Sequence, residues 1–253
     1  MSIAIVTGAS SGMGREFVLA LDRQQEYDEI WAIARRGERL AQLQEECRAR
    51  IRPLTLDLQQ MDSLDRLKEL LEERKPQVQT LVNGAGYGLF GRFMDMELKD
   101  QLSIIDLNSR ALAGVTYLTV PYMPQGGRIY NLGSLSSFQP VPLMSIYAAS
   151  KAFVLSFSRA LGVELQPRGL RVMAVCPGWV KTEFLDRAVR DDTVSYFCRY
   201  YTARQVVVRA LRDMARGKAV STLGFPERLQ VWLVKHLPTA MVLNTWMKQQ
   251  KQK

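Results

Sequence analysis

With 253 residues, 47% of them hydrophobic, the chain can bury a sizeable core and suits one large α/β domain better than two small ones. A single histidine (His236) and three scattered cysteines (Cys47, Cys176, Cys198) argue against a clustered zinc site, against a Ser-His-Asp hydrolase and for a reducing cytoplasm. The formal charge of +9 does not by itself point to nucleic acid, because basic and acidic residues interleave in RGERLAQLQEECRAR and LDRLKELLEERK and an anionic small ligand explains the excess as well.

The first residues, MSIAIVTGAS, enter an apolar strand pattern directly, without the basic start and long apolar stretch of a signal peptide. That strand, SIAIVT (2–7), ends in TGASSGMG, Thr7 to Gly14, and leads into a helical pattern at 13–26. Gly8, Gly12 and Gly14 permit a tight turn and a close approach of backbone to ligand, and Ser10, Ser11 and Met13 complete the loop. The helix start offers free N–H groups and the positive end of a dipole to a pyrophosphate. The spacing is GxxxGxG rather than GxGxxG, and an ordinary strand-to-helix turn is the competing reading. Its place at the first strand of a βαβ pattern favours dinucleotide binding.

The second strand, IWAIA (30–34), ends in Arg35 and Arg36. An NAD site usually carries an acid there, whereas guanidinium groups suit a 2′-phosphate. The expected cofactor is NADP(H), with NAD(H) as the alternative; a solvated basic turn is the bland reading. Helical patterns at 37–50, 62–75, 98–119, 147–166 and 203–216 then alternate with strand patterns at 51–56, 78–83, 127–132, 170–175 and 219–223. Seven strands separated by helices predict a Rossmann-type doubly wound parallel sheet in a three-layer α/β/α fold. The expected order is 3-2-1-4-5-6-7, with right-handed crossovers. Residues 181–202 lack periodicity and read as a mobile loop or short helices.

The stretch YAASK places Tyr147 and Lys151 four residues apart, on one face of a helix. A phenol with an ordinary pKa of about 10 is a poor base at neutral pH. An adjacent ammonium favours the phenolate, so the pair suits proton transfer; surface decoration is the alternative.

Taken together these stretches resemble the short-chain dehydrogenase/reductase family, in its single-domain branch, over nearly the whole chain. TGASSGMG matches the glycine motif. Asp57, followed by Leu58, matches the acidic adenine contact after the third strand. Asn83-Gly84-Ala85-Gly86 matches the NNAG motif, with glycine in place of its second asparagine. Asn108, Ser134, Tyr147 and Lys151 match the catalytic set, and Pro177-Gly178, Val180 and Thr182 match the PG motif and the residues after it.

The resemblance implies a ketone–alcohol oxidoreductase in which Tyr147 exchanges the proton and Lys151 lowers its pKa and binds the nicotinamide ribose. Ser134 orients the carbonyl, and Asn108 supports a water relay. Ser136 and Ser137 lie beside Ser134, and the thirteen-residue spacing to Tyr147 favours Ser134. Tyr87, Phe90, Phe93, Phe184, Leu185 and the Tyr196–Tyr201 group are candidates for an apolar substrate wall, with ordinary packing as the alternative.

Residues 1–225 are read as the single catalytic domain and 226–253 as a helical apolar and basic tail packed on it, helix–Pro238–helix. The tail covers the substrate pocket or a subunit partner, lies in a membrane interface through Trp232 and Trp246, or is simple core. A hydrophobic steroid-like or acyl-like substrate follows by analogy. Other expectations are a homodimer or homotetramer, a cytoplasmic location with peripheral membrane contact through the tail, and no nucleic-acid partner. The rival function is a non-catalytic NADP(H)-sensing scaffold that binds a protein.

Overall fold

A computed structural model describes residues 1–189, 193–194 and 199–250. The strand β1 (Ser2–Thr7) lies at the centre of the sheet, because its apolar run is buried on both faces. Around it stand β2 (Glu29–Ala34), β3 (Arg50–Thr55), β4 (Gln77–Asn83), β5 (Arg128–Leu132), β6 (Arg171–Val175) and the short β9 (Val220–Ser221). Their order is β3-β2-β1-β4-β5-β6-β9, and every pairing is parallel, as the alternating pattern predicts. A separate parallel pair, β7 (Trp179–Lys181) with β8 (Tyr200–Thr202), was not anticipated; three-residue strands carry too little pattern to be read.

The alternation of side chains along β1 builds the two cores. Ala4 and Val6 face one side, with α1 (Gly12–Asp22), α2 (Gly37–Glu46) and α8 (Ala203–Ala215) packed over them through Phe17, Leu40 and Val207. Ile3 and Ile5 face the other side, against α3 (Met61–Arg74), α5 (Leu112–Thr119) and α6 (Ser145–Glu164), which contribute Leu67, Val115 and Leu161.

The helix expected at 98–119 is interrupted. Helix α4 (Leu98–Ile105) passes into α5 through a π-helical segment, Asp106–Ala111, which carries Asn108. Beyond β7 the short α7 (Glu183–Ala188) occupies part of the stretch read as aperiodic. The tail forms α9 (Phe225–His236) and α10 (Thr239–Gln250), parted at Pro238. Among the described residues no helix is long and apolar enough to cross a membrane.

Candidate active site

All strands of the main sheet point the same way, so their carboxyl ends share one edge, and in open α/β sheets ligands bind there. A single cavity of about 830 Å³ follows that edge, from Gly8 after β1, Arg36 after β2 and Asp57 after β3 to Gly84, Gly133 and Pro177 after β4, β5 and β6. It continues past Tyr147 to Leu233 and Trp246 of the tail. Every residue singled out as a cofactor or catalytic candidate lines this cavity except Asn83 and Asn108.

One end is a backbone cradle. Gly8 has φ +71°, and a Cβ there would lie 2.6 Å from the Gly84 carbonyl oxygen. A Cβ on Gly84 would in turn lie 2.6 Å from the Thr7 carbonyl oxygen. The glycine standing where the family motif has asparagine lets these two turns approach more closely than a side chain would without a backbone shift. Thr7 Oγ1 ties them together, accepting from the N–H groups of Gly84 and Ala85, each at 3.0 Å. Ser11, the N-cap of α1, makes no side-chain cap bond, so the first-turn N–H groups of α1 are left for another acceptor. The cradle thus fits a pyrophosphate.

Beside the cradle, Arg36 Nη2 donates to Ser11 Oγ at 2.8 Å and to Ser10 Oγ at 3.2 Å. Its Nη1 donates to Glu183 Oε2 at 2.8 Å, and Arg39 pairs with the other oxygen of the same carboxylate. Arg35 lines the cavity too, but Arg36 is the arginine aimed at the serines. Neither Arg39 nor Glu183 was found by sequence reasoning, because the contact joins residues about 145 positions apart.

Tyr147, Lys151 and Ser134 come together as the motif spacing predicts. Tyr147 and Lys151 lie on one face of α6, with Lys151 Nζ 5.8 Å from the centre of the phenol ring. The ammonium is buried and donates to the Leu132 carbonyl oxygen at 2.8 Å. Burial lowers the Lys151 pKa to about 8. Burial also pushes the Tyr147 phenol up to about 12, against the hydroxyls of Ser134 and Ser136, which pull it back. The expected lowering of the phenol by Lys151 is therefore not the dominant effect here; desolvation is.

Ser134 caps a 3₁₀ turn, Leu135–Phe138. Its Oγ accepts from Ser136 N at 3.2 Å and from Ser136 Oγ at 2.8 Å, which leaves its own proton to donate elsewhere. Ser136 lines the cavity as Ser134 does, whereas Ser137 Oγ is used in accepting from Ser134 N at 3.1 Å.

Two predicted residues stand behind the cavity wall. The buried Asn108 holds the loop after β4 from below: its Nδ2 donates to the Tyr87 carbonyl oxygen at 2.9 Å and its Oδ1 accepts from Tyr87 N at 3.0 Å. The same Nδ2 reaches Ser150 Oγ at 3.0 Å. The Asn83 side chain turns into the sheet, donating to Thr116 Oγ1 at 2.9 Å and Asn131 Oδ1 at 2.8 Å, so any contact with a cofactor falls to its backbone.

The far end of the cavity is apolar. Phe184 packs against Tyr147 with ring centres 5.5 Å apart, and Phe90 stands behind both. Tyr87, Leu185, Val141, Met144 and Trp246 also line this end. Phe93 does not: it is 51% exposed, because the chain has turned outward by then. Of the Tyr196–Tyr201 group, residues 196–198 lie outside the described residues, while Tyr200 is exposed and Tyr201 packs against the core.

Comparison with known proteins agrees with this geometry. A family profile described as short chain dehydrogenase matches residues 2–193. A sulfoacetaldehyde reductase of Chromohalobacter salexigens is 37% identical over 203 residues, 76% of this chain and 79% of the relative. A very-long-chain 3-oxoacyl-CoA reductase of Anas platyrhynchos is 28% identical, covering 98% of this chain and 80% of its own. A short-chain dehydrogenase of Sphingobium yanoikuyae, solved in complex with NADPH, superposes with a TM-score of 0.78 at 30% identity, over 95% of this chain and 98% of that one. With a parallel sheet in this order, a glycine cradle after its first strand and a tyrosine–lysine pair on α6, the chain belongs to the short-chain dehydrogenase/reductase family and is an oxidoreductase.

Proposed function

We propose that the chain interconverts a ketone and a secondary alcohol of an apolar, steroid-like or acyl-like substrate, with NADP(H) as the preferred cofactor. The observation that carries this reading is the continuity of one cavity. The cradle at Gly8 and Gly84, the cluster of Ser134, Tyr147 and Lys151, and an apolar wall follow one another along it. The NADPH in the Sphingobium structure and the acyl substrate in the Anas enzyme's name support the two ends of the reading.

Gly8, Gly14, Gly84 and Ala85 would hold the pyrophosphate side of the dinucleotide, Asp57 and Leu58 its adenine, and Arg36 with Ser10 and Ser11 its 2′-phosphate. Pro177, Gly178, Val180 and Thr182 would flank the nicotinamide end. When bound, the nicotinamide supplies or accepts the hydride. The chain's residues manage the oxygen. Ser134 donates its free proton to the carbonyl oxygen and stabilises the charge that grows there. Tyr147 delivers a proton to that oxygen in reduction and removes it in oxidation. A phenol whose pKa is raised to about 12 is fully protonated at neutral pH, which suits the reductive direction. Lys151 steadies the ribose hydroxyls and the phenolate left after proton transfer. Asn108 fixes the Tyr87 backbone and supports the relay that returns the proton. The tail belongs to the same catalytic unit, since Leu233 and Trp246 close the apolar end.

Tyr147→Phe tests this assignment. Turnover with NADPH and a bulky ketone should fall at least about a thousandfold, in the range expected for removing the general acid, while NADPH affinity stays within a few-fold. Activity near wild type in this variant would sink the mechanism.

A further inference from the structure

The basic turn after β2 already holds an anion of the chain's own. Glu183, the first residue of α7, places its carboxylate between Arg36 and Arg39, and Arg36 also donates from Nε and Nη2 to Ser10 and Ser11. The hydrogen bonds from Arg39 and then Arg36 hold the Glu183 carboxyl below the usual range, so it is ionised at neutral pH. All three side chains are about half exposed and line or border the cavity where the adenosine end of a dinucleotide would lie.

We infer that Glu183 is a specificity-determining residue, which competes with a cofactor 2′-phosphate for Arg36 and Arg39 and accepts the ribose 2′-hydroxyl when that phosphate is absent. The inference rests on the proposed dinucleotide reading of the cavity. Its basis is donor and acceptor chemistry. Ser10 and Ser11 can rotate their hydroxyls and donate to a phosphate, so they need not leave. An ionised carboxylate can only accept, and it cannot share a guanidinium edge with a phosphate without repulsion. Two guanidinium groups balance a phosphate carrying about −1.5 to −2 charges; with the carboxylate still in place the cluster is net negative.

The same carboxylate serves the other cofactor. A dinucleotide without the 2′-phosphate needs an acceptor for its ribose hydroxyl, usually an acid at the end of the second strand. Arg35 and Arg36 occupy that place here, and Glu183 brings an acid to the same turn from α7, across the cavity. One residue thus weakens NADPH binding and supports NADH binding.

The test is calorimetric titration of wild type and Glu183→Gln with adenosine 2′,5′-bisphosphate and with adenosine 5′-diphosphate, together with fluorescence titration by NADPH and NADH. Glutamine keeps the size and removes the charge. Glu183→Gln should bind the bisphosphate about tenfold more tightly than wild type, with the gain shrinking as salt is raised. The diphosphate should bind no better, and NADH should bind a few-fold more weakly. Glu183→Ala should move the bisphosphate in the same direction, and equal melting temperatures show that both variants fold. Unchanged or weaker bisphosphate binding in both variants, with wild type binding both ligands, overturns the role of Glu183 alone. Wild type that binds neither nucleotide nor either dinucleotide overturns the cofactor reading and this inference with it.

Discussion

Tyr147 and Lys151 illustrate how burial decides chemistry at the level of single residues. Their spacing places them side by side, yet the ammonium is turned to the Leu132 carbonyl and both groups have lost most of their water. Each consequently favours its neutral form: the phenol is pushed up to about 12 and the lysine down to about 8. The sign of the pH dependence follows. Below a pH of about 8 the phenol is protonated and Lys151 charged, so reduction is supported; above it Lys151 loses its charge and reduction weakens. Oxidation needs the phenolate, whose fraction rises about tenfold for each unit of pH. Turnover should therefore be level for reduction and climbing for oxidation between about pH 6 and about pH 8. Steady-state rates in both directions across that range check this, and a reductive rate that climbs with pH would contradict it. That Ser134, Tyr147 and Lys151 come together at the cavity was legible in the sequence because their motifs have fixed spacing. The direction of the phenol's shift was not, since desolvation depends on what α6 packs against. Nor was Glu183 legible, because nothing in a sequence marks an ion pair made across a fold.

At the scale of elements, the strands of the sheet were legible because they are apolar runs bounded by turns, while the devices that aim side chains were not. The segment 98–119 has unbroken helical character, so nothing in it announces the π-helical turn at Asp106–Ala111. Such turns often mark functional sites. Here it carries the fully buried Asn108, whose amide bonds both the N–H and the carbonyl of Tyr87. Replacing Asn108 by alanine strands both backbone groups away from water. The cost of an unmet buried group is about 1–3 kcal/mol, so a total near 3 kcal/mol is expected. For a chain of this size that corresponds to a melting temperature lower by roughly 6–12 °C. Thermal unfolding followed by circular dichroism measures it, and a shift of under about 2 °C would show that Tyr87 needs no such brace. Cofactor affinity should fall as well, because the loop after β4 that Asn108 braces also carries Gly84 and Ala85 of the cradle.

At the scale of the whole molecule, the parallel sheet gathers the candidate site at one edge, and the tail borders its apolar end. The two tail helices make different contacts. Helix α9 lies against the 3₁₀ turn that presents Ser134 and Ser136, with Lys235 5.6 Å from the ring centre of Phe138, so removing it would disturb those two serines as well. Helix α10 is the cleaner probe. Trp246 Nε1 donates to the Pro142 carbonyl oxygen at 3.0 Å, which pins the helix over the apolar end, where Val242 and Trp246 line the cavity. Ending the chain after Pro238 removes that cover and leaves α9. If a bulky substrate loses about 60 Å² of apolar contact, the loss at roughly 25 cal/mol per Å² is about 1.5 kcal/mol, or about tenfold in binding. A small ketone that does not touch α10 should lose almost nothing. The expected outcome is thus a Michaelis constant about tenfold higher for large ketones, within about twofold for small ones, with NADPH affinity unchanged. Phe225, Trp232 and Met241 are exposed on the outer side of the same helices, and sedimentation with anionic vesicles tests whether that side meets lipid. Vesicle binding lost on truncation, with the kinetics for both ketones unchanged, would assign α10 to a membrane surface instead of the substrate.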